Sequence, residues 1–195
     1  AQFIARTGEF DVFVALVVDH RPVVAVAGHP ASGRLIGAID GAGAWWLELD
    51  GRRLPAHVTP QRGDRPPRLV ASKWYRGVER ASELEAIATA LGAETPPVLD
   101  TGFTPRKLLT EPRPYDGFLG VAPHWRQTPA REWDLATPDL IVNEAGGRFT
   151  DLRGRPHRYN KPSARVSGGL LISADPDLHK RLLAALRAEG LGVRG

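Results

Sequence analysis

The chain has 195 residues, a net charge of +4 and a pI near 9.8, with 42% hydrophobic and 25% charged residues, which fits one globular domain. Cysteine is absent, so disulfides, cysteine-ligated zinc and thiol catalysis are excluded. No apolar run approaches the roughly 18–20 residues of a membrane-spanning helix, and no dense Lys/Arg run or aromatic-basic pattern favours a nucleic-acid polymer.

The first third reads as β. Residues 10–18 form an apolar run of strand length, 19–22 (Asp-His-Arg-Pro) a turn, and 23–27 a second strand. Residues 28–33 break the chain, 35–39 begin a third strand, and Gly41 to Gly43 lead into Trp45, Trp46 and Leu47 before a turn at Asp50 and Gly51. Short strands joined by tight turns predict an antiparallel meander. Residues 60–67, rich in Pro and Arg, read as a loop, and 68–72 as a short strand.

Residues 82–91 predict a helix. Ser82 and Glu85 form a capping box, Leu84, Ile87, Ala88 and Leu91 share one face, and Gly92 stops it. A short strand at 97–100 comes next, then a helix at 105–109 that Pro112 and Pro114 end, and a strand at 115–121. Residues 140–145 belong to a helix closed by Gly146 and Gly147; 148–151 and 166–173 are strands. In the last helix Asp175 caps, Pro176 sits first, and Leu178, Leu182, Ala185 and Leu186 face inward. The class is α/β or α+β. The six histidines show no metal-ligand spacing and read as surface or turn residues.

The informative stretch is 133–151, in which Trp133-Asp134 precedes an apolar helix ending in Glu144-Ala145-Gly146-Gly147. On residue grounds Asp134 is either a helix N-cap or a carboxylate stabilised by the helix dipole and able to hold a hard cation. The stretch resembles the second signature of the inositol monophosphatase superfamily. Gly154-Arg155-Pro156, residues 168–174 and Asp116-Gly117-Phe118 keep that family's order as scaffold.

The resemblance implies a layered αβαβα sandwich and a Mg²⁺-dependent phosphomonoesterase with Asp134 as metal ligand on the leaving-group side. Trp133 would pack beside Asp134, and Gly146 and Gly147 would let the chain leave the helix in a left-handed conformation. Residues 1–16 resemble the stretch immediately downstream of the family's Asp-Pro-Leu-Asp-Gly-Thr loop, so the chain is expected to be the C-terminal portion of one incomplete domain. Residues 1–60 would be the β-rich part of its central sheet and 68–195 its α/β part. The loop's aspartates and an upstream glutamate would then lie outside the chain, the chain alone would be inactive, and apolar surface from residues 10–18 would be exposed.

Gly8-Glu9-Phe10 looks like the 3′(2′),5′-bisphosphate nucleotidase branch, with Glu9 structural rather than catalytic. Gly102-Phe103-Thr104-Pro105-Arg106 stands where nucleotidase relatives carry Gly-Ser-Ser-x-Lys, which implies substrate contact by Thr104 and Arg106. Ser72 matches the start of a family motif, but Lys73 and Trp74 stand where a histidine is expected. The expected partner is a small phosphorylated substrate, in the cytoplasm, with a homodimer left open. Inositol-1-phosphate, histidinol phosphate and a non-catalytic remnant of the fold are the alternatives.

Overall fold

A computed structural model of the chain describes residues 4–59, 65–72, 81–94, 98–99, 103–120 and 130–191. Its first sheet is the meander read from the sequence. Strands β1 (Val12–Val18), β2 (Arg21–His29), β3 (Arg34–Ile39), β4 (Gly43–Leu47) and β5 (Arg53–Pro55) pair antiparallel in chain order. The β1–β2 turn is tighter than predicted. Asp19 and His20 both take positive φ (47° and 67°), the geometry of a two-residue hairpin turn, so Arg21 and Pro22 join β2. A register shift between Leu16 and Val17 then places Val17 opposite Pro22, which has no N–H to give.

The second sheet is mixed. It comprises β6 (Leu69–Ser72), β7 (Val98–Leu99), β8 (Gly117–Gly120), β9 (Arg148–Thr150) and β10 (Leu170–Ser173), in the order β7-β6-β8-β10-β9. The β6 pairings to β7 and β8 are parallel; those of β10 to β8 and β9 are antiparallel. Four helices complete the fold: α1 (Ala81–Ala90), α2 (Pro105–Leu109), α3 (Glu132–Glu144) and α4 (Pro176–Ala188). Helix α1 already includes Ser82 in its first turn, so Ser82 does not precede the helix as a cap; its side chain lies outside the described residues. Asp175 caps α4 as expected, accepting from Asp177 N–H at 2.7 Å and Leu178 N–H at 3.2 Å.

Period-2 alternation in the second sheet divides the core. Val70, Phe118, Leu170 and Ile172 face a cluster shared with α2, α3 and the first sheet. Leu69, Ala71, Leu119 and Leu171 face the opposite cluster with α1 and α4. The layers therefore run first sheet, α2 and α3, second sheet, α1 and α4, which is the expected α/β architecture. Ala15, Ala25, Ala38 and Ala44 stand in one cross-strand row of the first sheet, Ala25, Ala38 and Ala44 of them buried. Such small side chains let a helix approach a sheet closely.

The other face of that sheet is bare. Val14 and Leu16 are 65% and 56% exposed, and Val12, Val18, Val24, Val26 and Ile39 extend the apolar surface. No helix layer covers it among the described residues.

Candidate functional site

Helix α3 carries the first candidate. Its residues from Leu135 to Val142 are all buried, which anchors it between the two sheets. Asp134 does not stand ahead of the helix, as its motif suggested, but is its third residue. There its carboxylate is exposed, and Oδ2 accepts the Arg131 N–H at 2.8 Å. Oδ1 has no protein hydrogen bond among the described residues, and no group of three His, Asp or Glu side chains placed to hold a metal occurs among them.

Trp133 is 65% exposed and lines an open groove with Phe13, Val14, Val17 and Tyr159, because the second position of the helix turns toward β1 rather than the core. The two glycines after α3 also separate. Gly146 has φ +93°, the left-handed exit predicted for both. Gly147 is needed for close packing instead, since a Cβ there would lie 2.8 Å from the Ser173 carbonyl oxygen and 2.9 Å from Val142 Cγ1. Glu144 accepts the N–H groups of Gly41 and Gly43 at 3.0 and 2.7 Å, tying α3 to the β3–β4 turn.

The second candidate is a cavity of about 350 Å³ beside α2, lined in part by Thr104 and Arg106. Asp11, His29, Arg34, Trp46 and Lys107 share its lining; Asp134 does not. Phe103, the departure from the Gly-Ser-Ser pattern, points into the core and packs edge-on against Phe118 at 5.6 Å and Phe149 at 6.3 Å. Pro105 occupies the first position of α2, where its missing N–H costs nothing. Arg106 is already paired, Nη2 with Glu9 Oε2 at 2.9 Å and Nε with Asp11 Oδ1 at 3.3 Å. Lys107 Nζ meets Glu9 at 2.6 Å, and this contact chiefly holds the Glu9 carboxyl below its ordinary range. Glu9 is thus an ion-pair residue, in keeping with the structural role expected of it. Gly102, Lys73, Trp74 and the Ser72 side chain lie outside the described residues.

A profile of the inositol monophosphatase family matches residues 1–191. The chain belongs to the inositol monophosphatase family. It is 28% identical over 176 residues to the 3′(2′),5′-bisphosphate nucleotidase CysQ of Aggregatibacter actinomycetemcomitans, covering 90% of this chain and 61% of that protein. It is also 28% identical over 189 residues to the Nus factor SuhB of Escherichia coli K12, covering 96% of this chain and 63% of that one. The chain thus spans less than two thirds of the length of these curated relatives. Among solved structures, Mycobacterium tuberculosis SuhB superposes with a TM-score of 0.71 at 21% identity, over 99% of this chain and 69% of that one. CysQ from Bacteroides thetaiotaomicron gives 0.63 at 22% identity, over 89% and 66%.

Around these family elements lie buried polar groups that sequence reading missed. In α3, Asp139 is fully buried. Arg21 forks it at 2.9 and 3.0 Å, the Tyr159 hydroxyl donates at 2.8 Å and Asn143 at 2.7 Å. Burial and the adjacent Asp139 push the Tyr159 phenol well above its usual range. Asp116, expected to be plain scaffold, is a buried hub joining Arg65, Arg113 and the Arg68 N–H.

Two of the histidines read as surface or turn residues are buried. His157 packs edge-on against Phe149, and His179 sits between the hydroxyls of Ser173 and Thr150 at 3.0 and 2.9 Å. For His179 the signal was present, since it precedes Leu182 and Leu186 on the apolar stripe of α4.

Proposed function

We propose that the chain carries part of the site of a Mg²⁺-dependent phosphomonoesterase acting on a 3′(2′),5′-bisphosphorylated nucleotide. The observation that carries this reading is Asp134: an exposed carboxylate in the first turn of α3, with one oxygen tied to the backbone and the other open. That oxygen suits a hard cation, which takes carboxylate oxygens and dehydrates reluctantly. Mg²⁺, when bound, supplies charge neutralisation and a nucleophilic water at neutral pH.

Asp134 is one ligand, and the described residues place no cluster of further carboxylates with it. On this reading the site takes its further ligands from outside the described residues. Thr104 and Arg106 supply phosphate contact, Thr104 by its hydroxyl and Arg106 by its guanidinium. The CysQ relative supports the nucleotide as substrate; inositol-1-phosphate and histidinol phosphate compete with it. The lone carboxylate also favours a second reading, a non-catalytic form of the fold.

Phosphate release separates these readings. Residues 1–195 with Mg²⁺ should be inactive on adenosine 3′,5′-bisphosphate, inositol-1-phosphate and histidinol phosphate. Joining a polypeptide that carries the Asp-Pro-Leu-Asp-Gly-Thr loop should confer turnover, fastest on the bisphosphate. Full turnover by residues 1–195 alone would refute the incomplete site. No turnover by the joined form would establish the non-catalytic reading.

A further inference from the structure

The turn of α3 that carries Asp134 is poorly held by the helix itself. Its N-cap is Arg131, whose guanidinium has no acceptor to offer the first N–H groups of the helix. Four residues beyond Asp134 stands Pro138, inside the helix. A proline there has no N–H for the Asp134 carbonyl and crowds it with its ring, so the bond that would tie Asp134 to the next turn is missing. Burial does not replace that bond. Leu135 to Val142 are buried, whereas Trp133 and Asp134 are exposed.

Residues 159–165 hold the first turn from outside. The Glu132 N–H donates to the Ala164 carbonyl at 3.0 Å, and Arg131 pairs with Arg165 in an isolated antiparallel bridge. The Glu132 carboxylate accepts the N–H groups of Asn160 at 2.7 Å and Lys161 at 3.3 Å, and it pairs with Lys161 Nζ. Its side chain is only 13% exposed. Asn160 has φ +52°, a left-handed conformation in which successive N–H groups can converge on one anion.

This segment is itself anchored. The Tyr159 N–H donates to the His20 carbonyl at 3.0 Å, and its hydroxyl donates to buried Asp139 at 2.8 Å. Arg21 forks Asp139 and reaches the His157 carbonyl. The clamp thus joins β2 and the middle of α3 to the helix's first turn.

We infer that Glu132 is a positioning residue: it fixes the first turn of α3, so that the Asp134 carboxylate keeps Oδ2 on the Arg131 N–H and presents Oδ1 in one direction. The bonds at stake are Arg131 N–H to Asp134 Oδ2 at 2.8 Å and Asp134 N–H to the Arg131 carbonyl at 3.0 Å. Glu132 is not placed as a ligand, since its two oxygens are taken by Asn160 and Lys161. The consequence for a metal rests on Asp134 being the carboxylate that holds it, as proposed above.

The first readout is amide hydrogen exchange, followed by NMR, on the 195-residue chain and its Glu132→Ala and Glu132→Gln variants. The Arg131 N–H reports the Asp134 carboxylate directly, because that carboxylate is its acceptor. Exchange there should quicken about tenfold in Glu132→Ala, the change expected when a local opening loses a charge-assisted bond. Glu132→Gln keeps one acceptor oxygen and should recover part of the protection. The Ile141 and Val142 amides, in the buried part of the helix, should not change. The second readout is Mn²⁺, whose unpaired electrons broaden the Asp134 amide signal. The Mn²⁺ concentration that half-broadens it should rise about tenfold in Glu132→Ala, at the lower end of what a partner supporting a metal ligand contributes. Lys161→Met, which leaves Glu132 charged, should not bind Mn²⁺ more tightly.

Unchanged Arg131 exchange in Glu132→Ala overturns the proposal. So does equal acceleration at Ile141 and Val142, which would make Glu132 a general support of the fold. Tighter Mn²⁺ binding in Lys161→Met would make Glu132 a ligand and overturn its positioning role. If Asp134→Asn leaves the broadening unchanged, the metal reading of Asp134 fails, while the Arg131 exchange still decides whether Glu132 sets the carboxylate.

Discussion

Replacing Asp116 with asparagine tests how charge is held inside the second layer of this fold. The carboxylate accepts four hydrogen bonds: two from Arg65 at 2.8 Å, one from the Arg68 N–H at 2.8 Å and one from Arg113 Nε at 2.7 Å. It is fully buried, and Arg113 is almost so. Burial alone pushes the carboxyl up, but the Arg65 fork, the Arg68 N–H and Arg113 outweigh it and hold it at about 2, against an ordinary 3.8. That lowering is worth about 2 kcal/mol.

Asparagine goes further than protonation. It offers one acceptor where the carboxylate offered two, turns an N–H toward a guanidinium, and leaves the Arg113 guanidinium with the Thr59 carbonyl and the exposed Glu111. Removing one partner of a buried pair costs about 3–5 kcal/mol, so Tm should fall by about 6–20 °C for a chain of this length. The sign with pH comes from the depressed value. The contribution of Asp116 is fully present above about 3.8 and is lost as pH falls through about 2. Urea unfolding followed by circular dichroism should show the largest gap between wild type and Asp116→Asn near about pH 7, narrowing by about 2 kcal/mol below about pH 4. A gap under about 1 kcal/mol near neutrality, or one that does not narrow on acidification, refutes the reasoning.

His179 makes a second pH-dependent prediction. Burial, then Arg148, lower its imidazole from 6.5 to about 4, so folding favours the neutral ring. That stability is present above about 6.5 and drains away as pH falls toward 4, by about 3 kcal/mol in all. Thermal melts of His179→Gln across this range should lack the slope; a wild-type Tm flat from pH 7 to 4 would contradict it. The bare sheet face predicts self-association of residues 1–195. Val14→Lys with Leu16→Lys should sediment as a monomer at concentrations where wild type associates, and a monomeric wild type would count against an adhesive face.

Much of this fold is local and therefore readable. The meander of β1 to β4 arises from period-2 apolar runs separated by turn residues, and α4 from Asp175, Pro176 and its leucine stripe. The Trp133-Asp134 to Gly146-Gly147 motif carries the family, because its elements lie within one helix and its exit. Other features depend on segments distant in sequence. Arg106 meets Asp11 across 95 positions and Arg65 meets Asp116 across 51, and no local pattern records such a pairing. Phe103 looked like a defect in a substrate motif until the fold gave it an aromatic core to fill.

The sequence by itself determined the order and type of the elements and the family they compose, since hydrophobic period, caps and a contiguous motif act over a few residues. Only the tertiary structure decided that Trp133 lines an open groove against β1, that Asp116 and His179 are buried, and that Arg106 pairs with Glu9 and Asp11. Burial and ion pairing are properties of what surrounds a side chain, and those surroundings exist only once the layers have closed.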